Sequence, residues 1–594
     1  MNEYKLSNNE NLAFFLNEAK SIKTNNFEKK IRVGILGSFT LNGLEETIRV
    51  KCSQKRIDCR TFVADYNQYN QEILKQDSKL YQFRPDITFL ILDVRHILGE
   101  LFFSPYSFSI SDRKELIKTK IDEMKKLIKT FLNNSNSKLI ITSLQIPSYS
   151  PYGINEEKAD WGLKQCVSEI NNRIRDELKD NPLAFVYDFN EFIMKFGEKN
   201  VFNYRQFFSG DVKISTEYIP KFTDELMRYI YAITGITRKC IVLDLDNTLW
   251  GGIIGEDGIS GIQLSDEYPG NVFKAFQRAI LGLRDEGVLL SIASKNNVDD
   301  VLEVFEKHTD CLLKKSDFSS MQIHWGNKAS SIEKISEELN IGLDSIVFFD
   351  DNPVERDWVK KQLPKVKVIE VPKNPMDYIK TLNKSRFFDR LTLTNEDRVR
   401  ADIYQQEQQR KDDLSNAVSV DDFLKDLKVT VKIGFSDDIT ITRIEQLLNK
   451  TNQFNLTTKR HSSADVIKII RDGGKVLWLS AADRYGDNGI VGVAILVEIE
   501  HRVWLIDSLL LSCRVIGRKI ETVFLAEIIE ILRIDNADVL YGQYLPTKKN
   551  SMVSDFYNQH GFQLTDKKNN LWTFNLSASN MTKPNYIVVS TNND

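Results

Sequence analysis

The sequence predicts an α/β protein of several domains with a parallel sheet at its centre, and three observations carry that prediction. Short apolar runs end repeatedly in polar residues, as buried strands do at the carboxyl edge of a sheet. Stretches of helical period fill the intervals between them. At 594 residues the chain is also too long for one core, and ordinary domain sizes suggest three or four.

Taken in order, residues 1–235 read as alternating strands and helices. Residues 31–36 form an apolar run ending in Gly37, Ser38, Phe39 and Thr40, residues 87–92 form a second ending at Asp93, and residues 139–141 lead into Thr142 and Ser143. Helical periodicity lies between them, as over 113–132.

The most informative stretch follows. Ile241, Val242 and Leu243 precede Asp244, Leu245, Asp246, Asn247 and Thr248, so two alternate carboxylates share a face at the mouth of a buried strand. The crevice beyond the carboxyl ends of parallel strands is the usual ligand site of an open α/β sheet. Two carboxylates there repel unless a cation lies between them, and Mg²⁺ fits because it takes hard oxygen ligands and keeps positions for water and phosphate. Residues 271–286 then carry a helical apolar stripe. Residues 288–293 form an apolar run ending at Ser294, Lys295 and Asn296, and 298–308 is amphipathic. Trp325, Gly326, Asn327 and Lys328 open another helical stretch, and 345–349 is a β-rich run ending in Asp350 and Asp351. Each polar group has an ordinary explanation alone: an acidic loop, a helix cap at Ser294, a solvated Lys328, a plain turn after Phe349. Four such groups in this order, three of them after apolar runs, point instead to one site.

The D-x-D-x-T pattern at Asp244 resembles motif I of the haloacid dehalogenase (HAD) superfamily, whose central domain is a Rossmann-like parallel sheet. The resemblance implies Asp244 as nucleophile, Asp246 as general acid/base, Ser294 as the phosphate-binding hydroxyl of motif II and Lys328 as the cation of motif III. It implies Thr248 and Asn296 as further substrate-binding groups. Mg²⁺ would be held by Asp244, the backbone carbonyl of Asp246, and Asp350 or Asp351. The glycine-rich run from Trp250 to Gly258 reads as a tight loop rather than a helix and leaves no room for a cap domain. The short interval between Ser294 and Lys328 leaves no room for a large one.

The string from Lys239 through Gly258 is similar to the FkbH-like branch of that superfamily, the glyceryl transferase/phosphatases of polyketide and related pathways. Ser512, Cys513, Arg514, Gly517 and Arg518 resemble the family's S-C-R-x-x-G-R motif, and the block from Tyr544 to Asn550 resembles a second one. The family resemblance implies acyl transfer from 1,3-bisphosphoglycerate, removal of a phosphate, and delivery of a glyceryl unit to a phosphopantetheinylated acyl carrier protein.

Residues 430–575 read as strands at 475–479, 491–498 and 503–510 and a helix over 517–532. The turn from Arg514 to Lys519 resembles, in degraded form, the pyrophosphate-binding turn of GNAT N-acyltransferases. A helix N-terminus attracts anions, Arg514 and Arg518 would strengthen that attraction toward substrate, and the same field would favour a thiolate at Cys513. Cys513 is therefore the candidate acyl carrier, against the common state of a buried inert cysteine; Cys240, which begins the motif I strand, is the competitor. The N-terminal region resembles an SGNH-hydrolase domain but departs from its pattern. Phe39 stands in the serine place, no histidine lies between His96 and His308, and Ser38 reads as an ordinary strand-end hydroxyl. A binding or structural domain is expected there.

The expected organisation is thus an SGNH-like domain over 1–235, a HAD-like phosphatase over 236–390, a helical connector over 391–425, a GNAT-like domain over 426–577 and a polar tail over 578–594, with a possible short strand at 586–589. A formal charge of −3 with interspersed signs argues against nucleic acid. The polar start and the lack of a long apolar run argue against a membrane partner. Six scattered cysteines suit a reducing cytoplasm and not structural zinc. The alternatives are a simple phosphatase acting on a small phosphometabolite, or an acyl-CoA-dependent N-acyltransferase with an accessory HAD domain.

Overall fold

The structure, a computed structural model, describes residues 10–23, 27, 29–393, 419–547, 549–579 and 581–591, with Gln406, Gln409, Arg410 and Asp413 between the second and third sheets. The chain divides into two compact units, Met1–Thr234 with Ser463–Asp465, and Gly235–Ser462 with Val466–Asp594.

The first unit holds β1 (Lys29–Gly37), β2 (Ile57–Val63), β3 (Ile87–Ile91), β4 (Lys138–Thr142) and β5 (Ala184–Tyr187), all parallel in the order β2-β1-β3-β4-β5. β3 and β4 are buried along their whole length, because helices on both faces require apolar residues at every position. The long crossover helix Ile110–Asn134 starts at a capping box of Ser109 and Asp112 and buries Ile117, Ile121, Met124, Ile128 and Phe131, a spacing that keeps one stripe on the sheet.

The second unit holds two sheets. One comprises β6 (Cys240–Leu243), β7 (Leu289–Ser294), β8 (Phe318–Ile323), β9 (Ile346–Phe349) and β10 (Lys367–Val368), all parallel in the order β10-β9-β6-β7-β8. Ile241 and Leu243 join one core with Phe276 and Phe349, while Cys240 and Val242 join the opposite core with Ile332 and Phe348. Burial on both faces is why β6 is uninterruptedly apolar. The strand order reverses at β6, so its carboxyl end opens on the switch-point crevice. The fold class read from the sequence, mixed α/β with a Rossmann-like parallel sheet, is the one observed.

The other sheet is mainly antiparallel: β11 (Thr430–Phe435), β12 (Phe454–Asn455), β13 (Lys475–Asp483), β14 (Gly486–Glu500), β15 (Val503–Leu511), β16 (Val539–Gln543), β17 (Gln563–Asp566), β18 (Leu571–Asn575) and β19 (Val588–Thr591). β15 and β16 run parallel, as do β11 and β19. The short strand expected near the C-terminus is thus β19, laid along β11.

Two expectations need correction. The run after Trp250 is not all loop, since Ile254–Gly261 is helical with a break at Gly258, whose φ is 66°. Two carboxylates satisfy its first amides: Asp257 accepts the Ile253 N–H at 2.8 Å and Asp246 accepts the Ile254 N–H at 3.1 Å. A strand, β8, also stands between Ser294 and Lys328 where only helix was read. The helical connector falls mostly outside the described residues, which include only its end in the helix Val420–Asp426.

Candidate active site

Register brings the site together. Leu243 pairs with Phe349 on one side and Ile292 on the other, so Asp244 and Asp350 leave neighbouring strands side by side and Ser294 follows two residues after Ile292. Asp244 is nearly buried. Its Oδ1 accepts the Ser294 hydroxyl at 2.8 Å, and its Oδ2 lies 2.7 Å from the Lys328 ammonium. Lys328 opens the helix Lys328–Glu338 and also donates to Asp350 Oδ2 at 2.6 Å. Asp350 is fully buried and accepts the Asn352 N–H at 2.8 Å, and Thr248 donates to Asp351 Oδ1 at 3.4 Å.

Asp246 faces a different set. Its Oδ1 accepts the Trp250 indole N–H at 2.9 Å, and its Oδ2 accepts the Asn296 amide at 3.0 Å. Asn296 donates also to the Ser294 hydroxyl at 3.1 Å, which links the two aspartates through one short network. The two carboxylates are thus held in separate environments, one against a lysine and one against neutral donors, as two different roles require.

Asp244, Asp350 and Asp351 each present an oxygen within 4.8 Å of the others, a set that could hold a metal ion. Burial, then the nearby Asp244 charge, pushes Asp350 up to about 7 and Asp351 up to about 6, against the opposing pull of Lys328. Burial alone would lower Lys328, but Asp244 and Asp350 outweigh it and raise its pKa. One lysine therefore faces three carboxylates. A hard divalent cation fits that oxygen set and the charge it leaves unbalanced. The carboxylate of Asp246 lies outside this set.

Two supporting residues escaped the sequence reading. Trp250, fully buried against Phe305, fixes Asp246 through its N–H; the signal was its position four residues on in a loop too tight to be free. Arg356 ties down the motif IV loop by donating to the carbonyls of Asp350 and Asp351 at 2.8 and 2.7 Å. Its place in the first turns of the helix Pro353–Gln362 carries no sequence signature.

Elsewhere the candidates are dispersed. In the first unit Ser38 is fully buried and its hydroxyl accepts the Asp93 N–H at 2.8 Å. Lys213, 3.3 Å from Asp93, is enclosed by the rings of Phe39, Phe189 and Phe202, so this cluster has the character of a packed strand end. Cys240 is fully buried and burial pushes its thiol up to about 12, which removes it as a nucleophile. Cys513 begins the short turn Cys513–Val515; its side chain lies outside the described residues. Arg514 donates to the Ser512 hydroxyl at 3.2 Å. Arg518 is buried against Asp483 at 2.8 Å, and Arg410 holds the same carboxylate at 2.8 Å, so Arg518 faces a carboxylate of its own chain. Leu456 joins β15 to the residues after β16, donating to the Leu509 carbonyl at 3.1 Å and accepting from the Leu545 N–H at 2.8 Å. Among the described residues no helix is long and apolar enough to cross a membrane.

Comparison with known proteins agrees with this geometry. Residues 32–231 match the family model for the FkbH N-terminal domain, and residues 236–376 match the acid phosphatase family model. No curated protein matches the chain. Among solved structures, the N-terminal part of the protein BF1531 from Bacteroides fragilis, described as containing a phosphatase domain complexed with Mg, is 27% identical. It covers 64% of this chain and 99% of its own, with a TM-score of 0.59. A GNAT-family acetyltransferase from Staphylococcus aureus is 16% identical, covers 25% of this chain and 99% of its own, and has a TM-score of 0.20, too slight a likeness to argue from. The sheet that carries Asp244 is that of a HAD-type phosphatase.

Proposed function

We propose that this protein is an FkbH-like glyceryl transferase/phosphatase that takes a phosphorylated acyl group from 1,3-bisphosphoglycerate, removes its remaining phosphate and passes the glyceryl unit to an acyl carrier protein. The observation that carries the phosphatase half is the pairing of Asp244 with Lys328 and Ser294 beside Asp350 and Asp351. Phosphoryl transfer asks for alignment and charge neutralisation more than for a strong base. An Asp244 oxygen attacks phosphorus while the bond to the departing ester oxygen breaks and Asp246 gives that oxygen its proton. Water then attacks the aspartyl-phosphate, Asp246 takes its proton, and inorganic phosphate leaves. Lys328 and Ser294 orient the nucleophile and meet the phosphoryl oxygens, with Thr248 and Asn296 beside them. Mg²⁺, bound by Asp244, the Asp246 carbonyl, Asp350 and Asp351, would supply neutralisation of the carboxylate and phosphate charge.

The transfer half rests on the resemblance at Cys513. Its thiolate would attack the acyl-phosphate carbon, the C–O bond to phosphate would break with phosphate leaving, and a pantetheine thiolate would later displace Cys513 by the same exchange. Five described cysteines and no disulfide among them suit the cytoplasm, where such carrier proteins work. The simple-phosphatase alternative keeps the Asp244 site and drops Cys513.

Mass spectrometry of the protein with 1,3-bisphosphoglycerate, Mg²⁺ and a panel of phosphopantetheinylated carrier proteins separates these readings. A glyceryl adduct on the enzyme, lost in Cys513→Ala, and then on one carrier is expected. Phosphate release with no acylated protein would leave the simple phosphatase.

A further inference from the structure

Asn488 stands apart among the buried amides of this protein. It is fully buried, and neither its Nδ2 nor its Oδ1 has a hydrogen-bond partner among the described residues, where no other buried side-chain amide is bare at both ends. An amide buried unpaired costs stability that an apolar residue of the same shape would not, so its presence calls for a partner from outside the fold. Its backbone is irregular too. β14 pairs with β13 at Ile490↔Ser480 and at Asp487↔Ala482, so Ala481 alone stands opposite Asn488 and Gly489, and Gly489 takes a φ of 63°. Bulges of this kind re-aim a side chain and gather beside active sites. Both ends of the stretch are fastened to the turn that carries Cys513: Arg518 donates to Asp483 at 2.8 Å, and the Ser512 N–H donates to the Val491 carbonyl at 2.7 Å. β14 also lies against the Cys513–Val515 turn itself. Asn488 is three residues from Val491, about 10 Å of strand. A cysteine side chain and a glyceryl group attached to it together span such a gap.

We propose that Asn488 binds the acyl unit at Cys513, its Nδ2 donating to the carbonyl oxygen and its Oδ1 accepting from the hydroxyl on the adjacent carbon. A 2-hydroxyacyl group offers one acceptor and one donor on neighbouring carbons, the complement of a side-chain amide. When the Cys513 thiolate attacks the acyl-phosphate carbon, the carbonyl π electrons move to oxygen and the Nδ2–H meets that oxyanion. The carbonyl then re-forms as the C–O bond to phosphate breaks and phosphate leaves with the electron pair. Asn488 thereby makes the transfer selective for a 2-hydroxyacyl donor. The bare amide is a property of the fold, whereas the identity of its ligand rests on the function proposed above.

The test is intact-mass kinetics of the full chain with 1,3-bisphosphoglycerate and with 3-phosphooxypropanoyl phosphate, the same donor without its 2-hydroxyl. The natural chain should acquire the adduct at least roughly 100-fold faster from the hydroxylated donor, because a site built to bond a hydroxyl rejects the analogue lacking it. Asn488→Leu should slow that labelling by about 10²–10³, the usual effect of losing one oxyanion donor, and bring the two donors to within a few-fold of one another. Its melting temperature should equal or exceed that of the natural chain, since no bond of the fold is lost. Equal labelling rates in Asn488→Leu and the natural chain, or a natural chain indifferent to the 2-hydroxyl, would overturn the proposal. So would a melting temperature lowered by several degrees, which would assign the amide to a bond within the fold, such as one to an enclosed water. An adduct on the natural chain from neither donor would refute the transfer reading and this proposal together.

Discussion

Lys328 is the residue on which the charge balance of the Asp244 site turns. It is buried between Asp244 and Asp350, and removing one partner of a buried charge set costs more than the set itself contributes. Lys328→Met should therefore lower kcat by about 10²–10³, the usual effect of losing one preorganised charge-stabilising group. It should also cost about 3 kcal/mol of stability when no metal is present. Steady-state kinetics with a generic phosphomonoester, and thermal unfolding with and without Mg²⁺, check both; the variant should gain more from Mg²⁺ than the natural chain. Asp507 makes a separate prediction in the third sheet. Burial would raise it, but hydrogen bonds from His461 at 2.8 Å and Lys459 at 2.7 Å outweigh burial and hold it at about 2. A depressed carboxylate contributes stability above its unfolded pKa near 4 and loses it as pH falls through 2, here about 2 kcal/mol. Hydrogen exchange along β15 should show that loss between about pH 4 and 2 in the natural chain and not in Asp507→Asn. An equal pH slope in both would contradict it.

Elements differ in how plainly the sequence announced them. The strands that end in catalytic groups were legible because two-sided burial makes them uniformly apolar and their chemistry stands at their ends: Leu243 to Asp244, Ala293 to Ser294, Phe349 to Asp350. β8 was not, because Phe318, Ser319, Ser320, Met321, Gln322 and Ile323 mix polar and apolar positions at the sheet edge. β2, another edge strand, carries Asp58 and Arg60 and hid for the same reason. The helix after Trp250 was masked by its glycines, whose conformational cost is met by carboxylate caps that only the folded chain brings near. The resemblance at Tyr544 to Asn550 acquires a physical account: fully buried Asn550 donates to the carbonyls of Asn455 and Leu545 at 2.9 and 3.0 Å and accepts the Thr547 N–H at 2.7 Å. Asn550 thereby fastens β12, which pairs with β15. Asn550→Ala strips these bonds, with the one from the Tyr544 hydroxyl at 3.4 Å, and should destabilise this sheet by about 2–4 kcal/mol, with exchange at Leu456 and Leu545 accelerating first. Unchanged protection there would refute the fastening role.

At the scale of the whole molecule, nothing along the chain announced the cleft at the amino edge of the Asp244 sheet, because its lining residues lie scattered from Gly235 to Lys549 and only the fold collects them. The phosphatase site was legible for the opposite reason, its groups being fixed by strand ends in a set order. Both belong to the second unit and stand at opposite edges of one sheet.

The central claim is that Asp244 bonds covalently to phosphorus, and the most direct measurement is to quench turnover, reduce any acyl-phosphate with borohydride and map the peptide. The account predicts homoserine at position 244 in the natural chain, and in Asp244→Asn a folded protein with neither label nor turnover. Phosphate release with position 244 unlabelled, or label at Asp246, would contradict it.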